Sequence, residues 1–167
     1  MHKIYLIIGG NVGDREQYLF QTRENIIKEI GNINKSSDIY ESEPWGFDHH
    51  IPFLNQVLEV ETELTALCLL DKCQSIENSL GRNRFQEGYR PRTVDIDVLF
   101  YDDCIYSLPP LIIPHKLLHH RMFVLEPLAQ IAPNLIHPVY GINISELKAS
   151  CDDDVKVWKY SLGTVNA

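Results

Sequence analysis

Asp95 and Asp97 stand two residues apart in the run Arg90-Pro91-Arg92-Thr93-Val94-Asp95-Ile96-Asp97-Val98-Leu99-Phe100. The apolar residues around them make the run strand-like. Successive strand side chains point to opposite faces, so the two carboxylates share one face while Val94, Ile96 and Val98 turn to the other, into a core. Adjacent carboxylates repel unless a cation sits with them. Hard oxygen ligands beside arginine suit Mg2+ with a phosphate group better than a soft metal. The guanidinium of Arg92 is a planar fork matched to phosphate oxygens. The competing reading is a half-exposed strand with a solvated acidic face, because a bare pair of this kind also arises by chance. The arginines gathered at Arg82, Arg84, Arg90 and Arg92 favour phosphate.

Other chemistry-bearing residues are weaker signals. Gly9-Gly10-Asn11-Val12-Gly13 reads as a tight strand-to-helix turn, and neither a GxxxxGKS/T nor a GxGxxG phosphate loop occurs. His115 and His119, four residues apart, have no accompanying Glu or Cys signature, which disfavours zinc. His49, His50, His119 and His120 read as surface residues. Cys68, Cys73, Cys104 and Cys151 lack CxxC spacing and read as buried free thiols, which suits a reducing cytoplasm.

The elements that must position these groups can be outlined. A chain of 167 residues fits one domain with a real core, and 44% apolar and 23% charged residues are those of a soluble globule. A net charge of −8 argues against an extended nucleic-acid surface. No apolar run is long enough to span a bilayer, so no membrane partner is expected. The N-terminal run ends at glycines with no small-residue cleavage site, and reads as a first strand rather than a signal peptide.

Residues 3–8 predict that strand. Asp14 with Gln17 predicts a capping box for a helix ending near Gly31, with Leu19, Ile26, Ile27 and Ile30 inward. A second strand fits 33–41, a long irregular loop follows, and a third strand fits Leu54–Glu61. Thr65 predicts the cap of a second helix ending at Gly81, with Leu69, Cys73, Ile76 and Leu80 at helical spacing. A glycine- and arginine-bearing loop, 81–92, leads into the acidic strand, 93–101. The order βαββαβ is the ferredoxin-like pattern, an α+β sandwich with an antiparallel sheet. Short helices are expected at 115–130 and 143–149. One domain over 1–160 and a loosely held tail over 161–167 complete the outline.

Against these elements, a set of local sequences carries a family resemblance. Gly9-Gly10-Asn11-Val12-Gly13-Asp14, Ser42-Glu43-Pro44-Trp45-Gly46, Phe53-Leu54-Asn55, the PRTVDIDVLF segment, Ile113-Pro114-His115 and Arg121-Met122-Phe123-Val124-Leu125-Glu126-Pro127-Leu128 occur in that order. The chain resembles the 6-hydroxymethyl-7,8-dihydropterin pyrophosphokinases of folate biosynthesis over nearly its whole length. The resemblance implies transfer of pyrophosphate from ATP to the pterin hydroxymethyl group with release of AMP. It also implies two Mg2+ ions held by Asp95 and Asp97, and a ferredoxin-like core.

Residue by residue, the resemblance puts Arg82, Arg84 and Arg92 on the phosphate side, with Arg82 and Arg92 acting alongside Asp95 and Asp97 in catalysis. It puts Gln74, Glu77, Ile112, His115, Lys116 and Arg121 on the nucleotide side. Phe53 and Phe123 match the positions that sandwich the pterin, and Asn55 the amide that reads its polar edge. Ser42, Glu43, Pro44 and Trp45 lie along the same edge, which Asp95 also reaches. Two places depart from the pattern. Tyr89 and Arg90 stand where the family has Trp-Gly, and Pro110 and Ile112 stand where some members have Arg and Thr, leaving Ile112 its backbone groups for adenine. The expected partners are ATP and the pterin, with no nucleic acid, and the expected state is a monomer.

A ferredoxin-like ligand-binding module without catalysis would need no acidic pair beside arginines. An RNA-recognition domain shares the element order, but its aromatic RNP strand is missing and the net charge has the wrong sign.

Overall fold

The computed structural model describes residues 1–43, 51–81 and 93–161. The apolar run after His2 forms strand β1, His2–Gly10. Helix α1, Arg15–Glu29, begins where the Asp14 carboxylate accepts the Gln17 N–H at 3.1 Å. An edge strand follows in two pieces, β2 (Gly31–Ser36) and β3 (Tyr40–Ser42), both pairing with the long strand β4, Phe53–Thr62. Thr65 caps helix α2, Ala66–Ser79, by accepting the Cys68 N–H. Strand β5, Asp95–Tyr101, pairs with β1. A hairpin, β6 (Tyr106–Leu108) and β7 (Leu111–Ile113), a 3-10 turn at Leu118–His120, helices α3 (Met122–Ile131) and α4 (Ile144–Ser150) and a last strand, β8 (Val157–Lys159), complete the chain.

The main sheet runs β5-β1-β4-β3-β8, with β2 also on β4, and every pairing is antiparallel. This is the ferredoxin-like arrangement with an added edge. The central strand β1 is apolar on both faces, and each face builds its own core. Ile4, Leu6 and Ile8 pack with Leu54, Leu58, Ile96 and the inner stripes of α1 and α2. Tyr5 and Ile7 pack with Val57, Leu99, Phe100 and the inner stripe of α3, Val124, Leu125 and Leu128. Among the described residues no helix is long and apolar enough to cross a membrane.

Besides a register shift at Ile33/Lys35, two bulges bear on which side chains reach the α3 face near the site. On β5 the register shifts opposite Tyr5/Leu6, so that Leu99 and Phe100 both join the α3-side core while Tyr101 joins the other. On the edge strand, Ser36 pairs with Leu58 but Tyr40 pairs with Asn55, so four residues there span three on β4. The extra residue turns Tyr40 and Ser42 to the face they share with Asn55 and Phe53.

Several expectations need correction. The strand expected over 33–41 is interrupted because Ser37 inserts its own bonds, its N–H donating to Val57 O and its Oγ accepting the Val57 N–H. Ile27 is 50% exposed; it flanks the buried stripe of Leu19, Thr22, Ile26 and Ile30 rather than belonging to it. Of the four free cysteines only Cys73 is fully buried, and Cys68 is exposed on the outer side of α2. Strand β8 and the β6–β7 hairpin were not anticipated. Residues 162–167 of the expected tail lie outside the described residues.

His137 closes the α3-side core. It is 3% exposed, its ring stacks on Tyr140 and meets the edge of Phe100, and its Nδ1 accepts the Val139 and Tyr140 N–H groups. Burial, with the neighbouring His119 adding to it, pushes its pKa down to about 4. An unfolded histidine titrates near 6.5. Between those values the unfolded chain binds the extra proton, so stability is lost as pH falls from about 6.5 towards 4. His137→Asn keeps an acceptor oxygen and removes the titration. Urea unfolding across that range should give a shallower decline for the variant, and parallel declines would reject the assignment.

Candidate functional site

The site is a cross-strand row. Gly9 of β1 pairs with Asn55 of β4 on one side and with Asp95 of β5 on the other. Directly opposed residues of an antiparallel sheet project to the same face, here the face on which α3 lies. Strands are about 4.8 Å apart, so Asn55 and Asp95 flank a slot about 10 Å across. Gly9 lets the Asn55 amide lie over β1: a Cβ there would overlap Leu54 O and the Asn55 amide oxygen. The next row on this face, Val57–Ile7–Asp97, is apolar except for its carboxylate.

Around the slot the structure gathers the rest of the expected pterin-side groups that are described. Asn55 is 7% exposed and its Nδ2 lies 3.5 Å from the Oγ of Ser42, which is 1% exposed. Phe53 pairs with Ser42 and is half-buried. Phe123 sits in the first turn of α3, with the Arg121 guanidinium 5.6 Å from its ring centroid. Glu43 follows β3 directly and its side chain is exposed. Pro44 and Trp45 lie outside the described residues.

Asp95 and Asp97 project from this face, both partly exposed, two residues and so roughly 7 Å apart along the strand. His115 reaches the same end of the strand because its N–H donates to Leu99 O at the bulge. Its Nδ1 accepts the Leu117 N–H, which leaves the ring proton on Nε2. Burial pushes its pKa down to about 4; the nearby Arg121 and Lys116 charges lower it further and Asp95 opposes them. At neutral pH His115 is therefore an uncharged N–H donor beside a buried arginine. Lys116 is exposed and Ile112 is half-buried on β7. Arg82, Arg84 and Arg92 lie outside the described residues, as do Tyr89 and Arg90.

Gln74 and Glu77 share one face of α2, and the two differ in burial. Gln74 is half-exposed, whereas Glu77 is 5% exposed. Glu77 Oε2 accepts the Ile96 N–H at 2.7 Å. Strand β5 is the outer strand here, so alternate N–H groups face away from β1 and need a partner. Ile96 lies between the two acidic residues, and Glu77 thus fixes the backbone that carries both. Spacing along α2 revealed the helix face, but the contact with β5 is long-range and left no mark in the sequence. The Cys73 thiol, one turn earlier, is pushed up by burial and by the Glu77 and Asp97 carboxylates, so it is no nucleophile.

The donor set suits a divalent cation of the hard class. Two half-exposed carboxylates on one face leave room for water and phosphate oxygens, the way Mg2+ is usually held. Among the described residues no group of three or more His, Cys, Asp and Glu forms a closed metal cage.

Comparisons with known proteins bear on the family and the fold. A family model described as 7,8-dihydro-6-hydroxymethylpterin-pyrophosphokinase matches residues 5–133. A protein of Aquifex aeolicus named 2-amino-4-hydroxy-6-hydroxymethyldihydropteridine pyrophosphokinase is 42% identical over 149 residues, 89% of this chain and 91% of that one. One of the same name from Bacillus subtilis is 36% identical over 161 residues, 95% of this chain and 92% of that one. The crystal structure of Plasmodium falciparum HPPK-DHPS with pteroate superimposes on 89% of this chain with a TM-score of 0.71 at 16% identity. This chain spans 42% of that longer one, and the likeness bears on fold alone.

Glu77→Ala should leave the Ile96 N–H buried and unpaired, at a cost of about 1–3 kcal/mol. Urea unfolding measures it, and a loss within error of zero would remove Glu77 from its place as the β5 anchor.

Proposed function

The chain belongs to the 7,8-dihydro-6-hydroxymethylpterin-pyrophosphokinase family, and on that premise we propose that its site moves pyrophosphate from ATP to the hydroxymethyl group of 6-hydroxymethyl-7,8-dihydropterin, releasing AMP. The reaction is a step of folate biosynthesis. The observation that carries the reading is the Asn55–Gly9–Asp95 row. It offers a flat slot with an amide on one side, a carboxylate on the other and aromatic rings at its rim. A pterin is a flat heterocycle whose polar edge needs paired donors and acceptors, which a buried amide supplies.

Phe53 and Phe123 take the two faces of the ring, Asn55 reads its edge, and Ser42 holds the Asn55 amide in place. Glu43, Pro44 and Trp45 complete that edge by the family resemblance. Asp95 sits where the slot meets the phosphate side and serves both. Asp95 and Asp97 hold Mg2+, two ions with ATP as co-substrate. When bound, the metal offsets phosphate charge and favours an in-line displacement.

The rest of the phosphate side falls to fixed donors. His115 offers its Nε2–H to a phosphate oxygen. Arg121, whose guanidinium lies by Phe123, supplies permanent charge where the two substrates meet. Lys116 adds a point charge, and Gln74, Glu77 and Ile112 line the nucleotide side, Glu77 through its hold on Ile96. Arg82, Arg84 and Arg92 join them by family resemblance, Arg82 and Arg92 stabilising the transition state. We place the enzyme in the cytoplasm, acting as a monomer.

The test is to incubate the chain with ATP, Mg2+ and the pterin, and to follow nucleotide products while omitting each component in turn. AMP should form only in the complete mixture, one for one with the pterin diphosphate. ADP would mean transfer of a single phosphoryl group and would sink the assignment. Asp97→Ala should lower turnover at least about a hundredfold, and near-normal turnover would remove its metal role. Gly9→Ala should push the Asn55 amide out of the slot and weaken pterin binding about tenfold or more, leaving ATP binding in place. Calorimetric titration with each ligand separates the two effects, and equal losses for both would contradict the slot.

A further inference from the structure

We propose that the C-terminal segment from Asp153 to Tyr160, which lies outside the residues 5–133 that match the family, braces the two walls of the pterin slot, with Asp153 as its main positioning residue. The inference rests on the reading of that slot given above.

One wall is the first turn of α3. Its N-terminal N–H groups have no side-chain cap from Arg121, the residue at the cap position. Instead Asp153 Oδ2 accepts the Met122 N–H at 2.9 Å, while Oδ1 accepts the Val155 N–H at 3.1 Å. The carboxylate is held from both sides, and it places negative charge at the positive end of a ten-residue helix. The residues flanking Met122 are Arg121 and Phe123. Fixing that one N–H therefore fixes the start of the turn from which both side chains project.

The other wall is β3. Three residues beyond Asp153, Lys156 O accepts the Glu43 N–H at 3.3 Å. Val157 then pairs with Ser42, Trp158 with Glu41 and Lys159 with Tyr40. Side chains lock the pairing. The Trp158 indole N–H donates to Glu41 Oε1 at 2.9 Å, and Arg15 holds the other Glu41 oxygen at 2.6 Å while also donating to Pro52 O. Tyr160 closes the end, its N–H on Ile39 O and its hydroxyl on Glu16. A single short segment thus ties the turn bearing Phe123 to the strand bearing Ser42. These two groups come from elements far apart in sequence, and the segment fixes where both stand on the α3 face of the sheet.

The prediction separates positioning from general stability. Asp153→Ala in the full chain should raise the dissociation constant and KM for 6-hydroxymethyl-7,8-dihydropterin about tenfold. ATP affinity, which also rests on groups outside this turn, should stay within about threefold, while turnover should fall because Arg121 projects from the same turn. Asp153→Asn keeps an acceptor for the Met122 N–H and should restore pterin affinity to near the parent value. If Asp153→Ala does not fold, Trp158→Phe, which keeps the ring and removes its N–H, carries the same expectation of selectively weakened pterin binding. Unchanged pterin affinity in a folded variant, or equal weakening of ATP and pterin, would overturn the brace while leaving the site as read. A parent chain that binds no pterin would overturn the reading of the site and the brace with it.

Discussion

The register of β1 between β4 and β5 is the constraint on which the rest depends. Nine unbroken pairs, from His2–Thr62 to Gly10–Leu54, set it on one side. In this register Gly9, the first of the two glycines that end β1, falls between Asn55 and Asp95. A slip of one residue would turn every side chain of β1 to the opposite face. Because β1 is apolar on both faces, hydrophobic burial alone penalises that slip weakly. The Tyr5 hydroxyl supplies a polar pin: it donates to the buried Glu59 carboxylate at 2.7 Å. In a slipped sheet that carboxylate would be buried and unpaired, which costs more than the hydrogen bond itself is worth. Burial and the Glu59 charge also push the Tyr5 hydroxyl pKa up, so it stays a donor.

Given that register, the two bulges act as adapters. Continued regularly from Ser36, the edge strand would send Ser42 and Tyr40 towards α1 and α2. The extra residue between Ser36 and Tyr40 brings them to the α3 face with Asn55. On the other side, the bulge at Leu99 adds a second large side chain to the α3-side core and leaves Leu99 O for the His115 N–H. Each bulge thus converts an irregularity in pairing into the placement of one polar group, Ser42 or His115, at opposite ends of the same slot.

Much of this was legible because the signals were local. The caps at Asp14 and Thr65, the apolar runs of β1 and β4, and the alternation around Asp95 and Asp97 each depend on residues within a few positions of one another. The split of the edge strand was not legible, because Ser37 in an exposed run gives no warning that it will bond Val57, twenty residues away. Strand β8 was missed because Val155-Lys156-Val157 alternates too briefly to stand out after three aspartates. Ile26 and Ile27 are the same residue type one position apart, and only their place relative to the stripe, set by packing on the sheet, separates the buried one from the exposed one. The candidate site residues rest on motif and resemblance. What those could not supply was the support: Gly9 making room for the Asn55 amide, Glu77 on the β5 edge, and Asp153 on α3. All three act through contacts between distant segments, which periodicity does not encode.

Charge explains why this support has to be rigid. The chain carries a net charge of −8, and the half-exposed Asp95 and Asp97 face the position proposed for a polyanionic substrate. Attraction from the protein as a whole is therefore absent, and the phosphates must be held by a few cationic or donor groups at short range. His115, uncharged at neutral pH, contributes direction and no net charge. Arg121 and Lys116 contribute charge, and Asp95 and Asp97 can take part only with a divalent cation that reverses their sign towards phosphate. An interaction that changes from repulsive to attractive on metal binding is useful only if both carboxylates are already on one face at a fixed spacing. A sheet row supplies that spacing, and the Glu77 bond to the intervening N–H keeps it. On the reading proposed for the site, the acidic pair would make nucleotide binding conditional on metal, while the Asn55–Gly9 side of the slot, which carries no charge, would stay open to a neutral heterocycle without it.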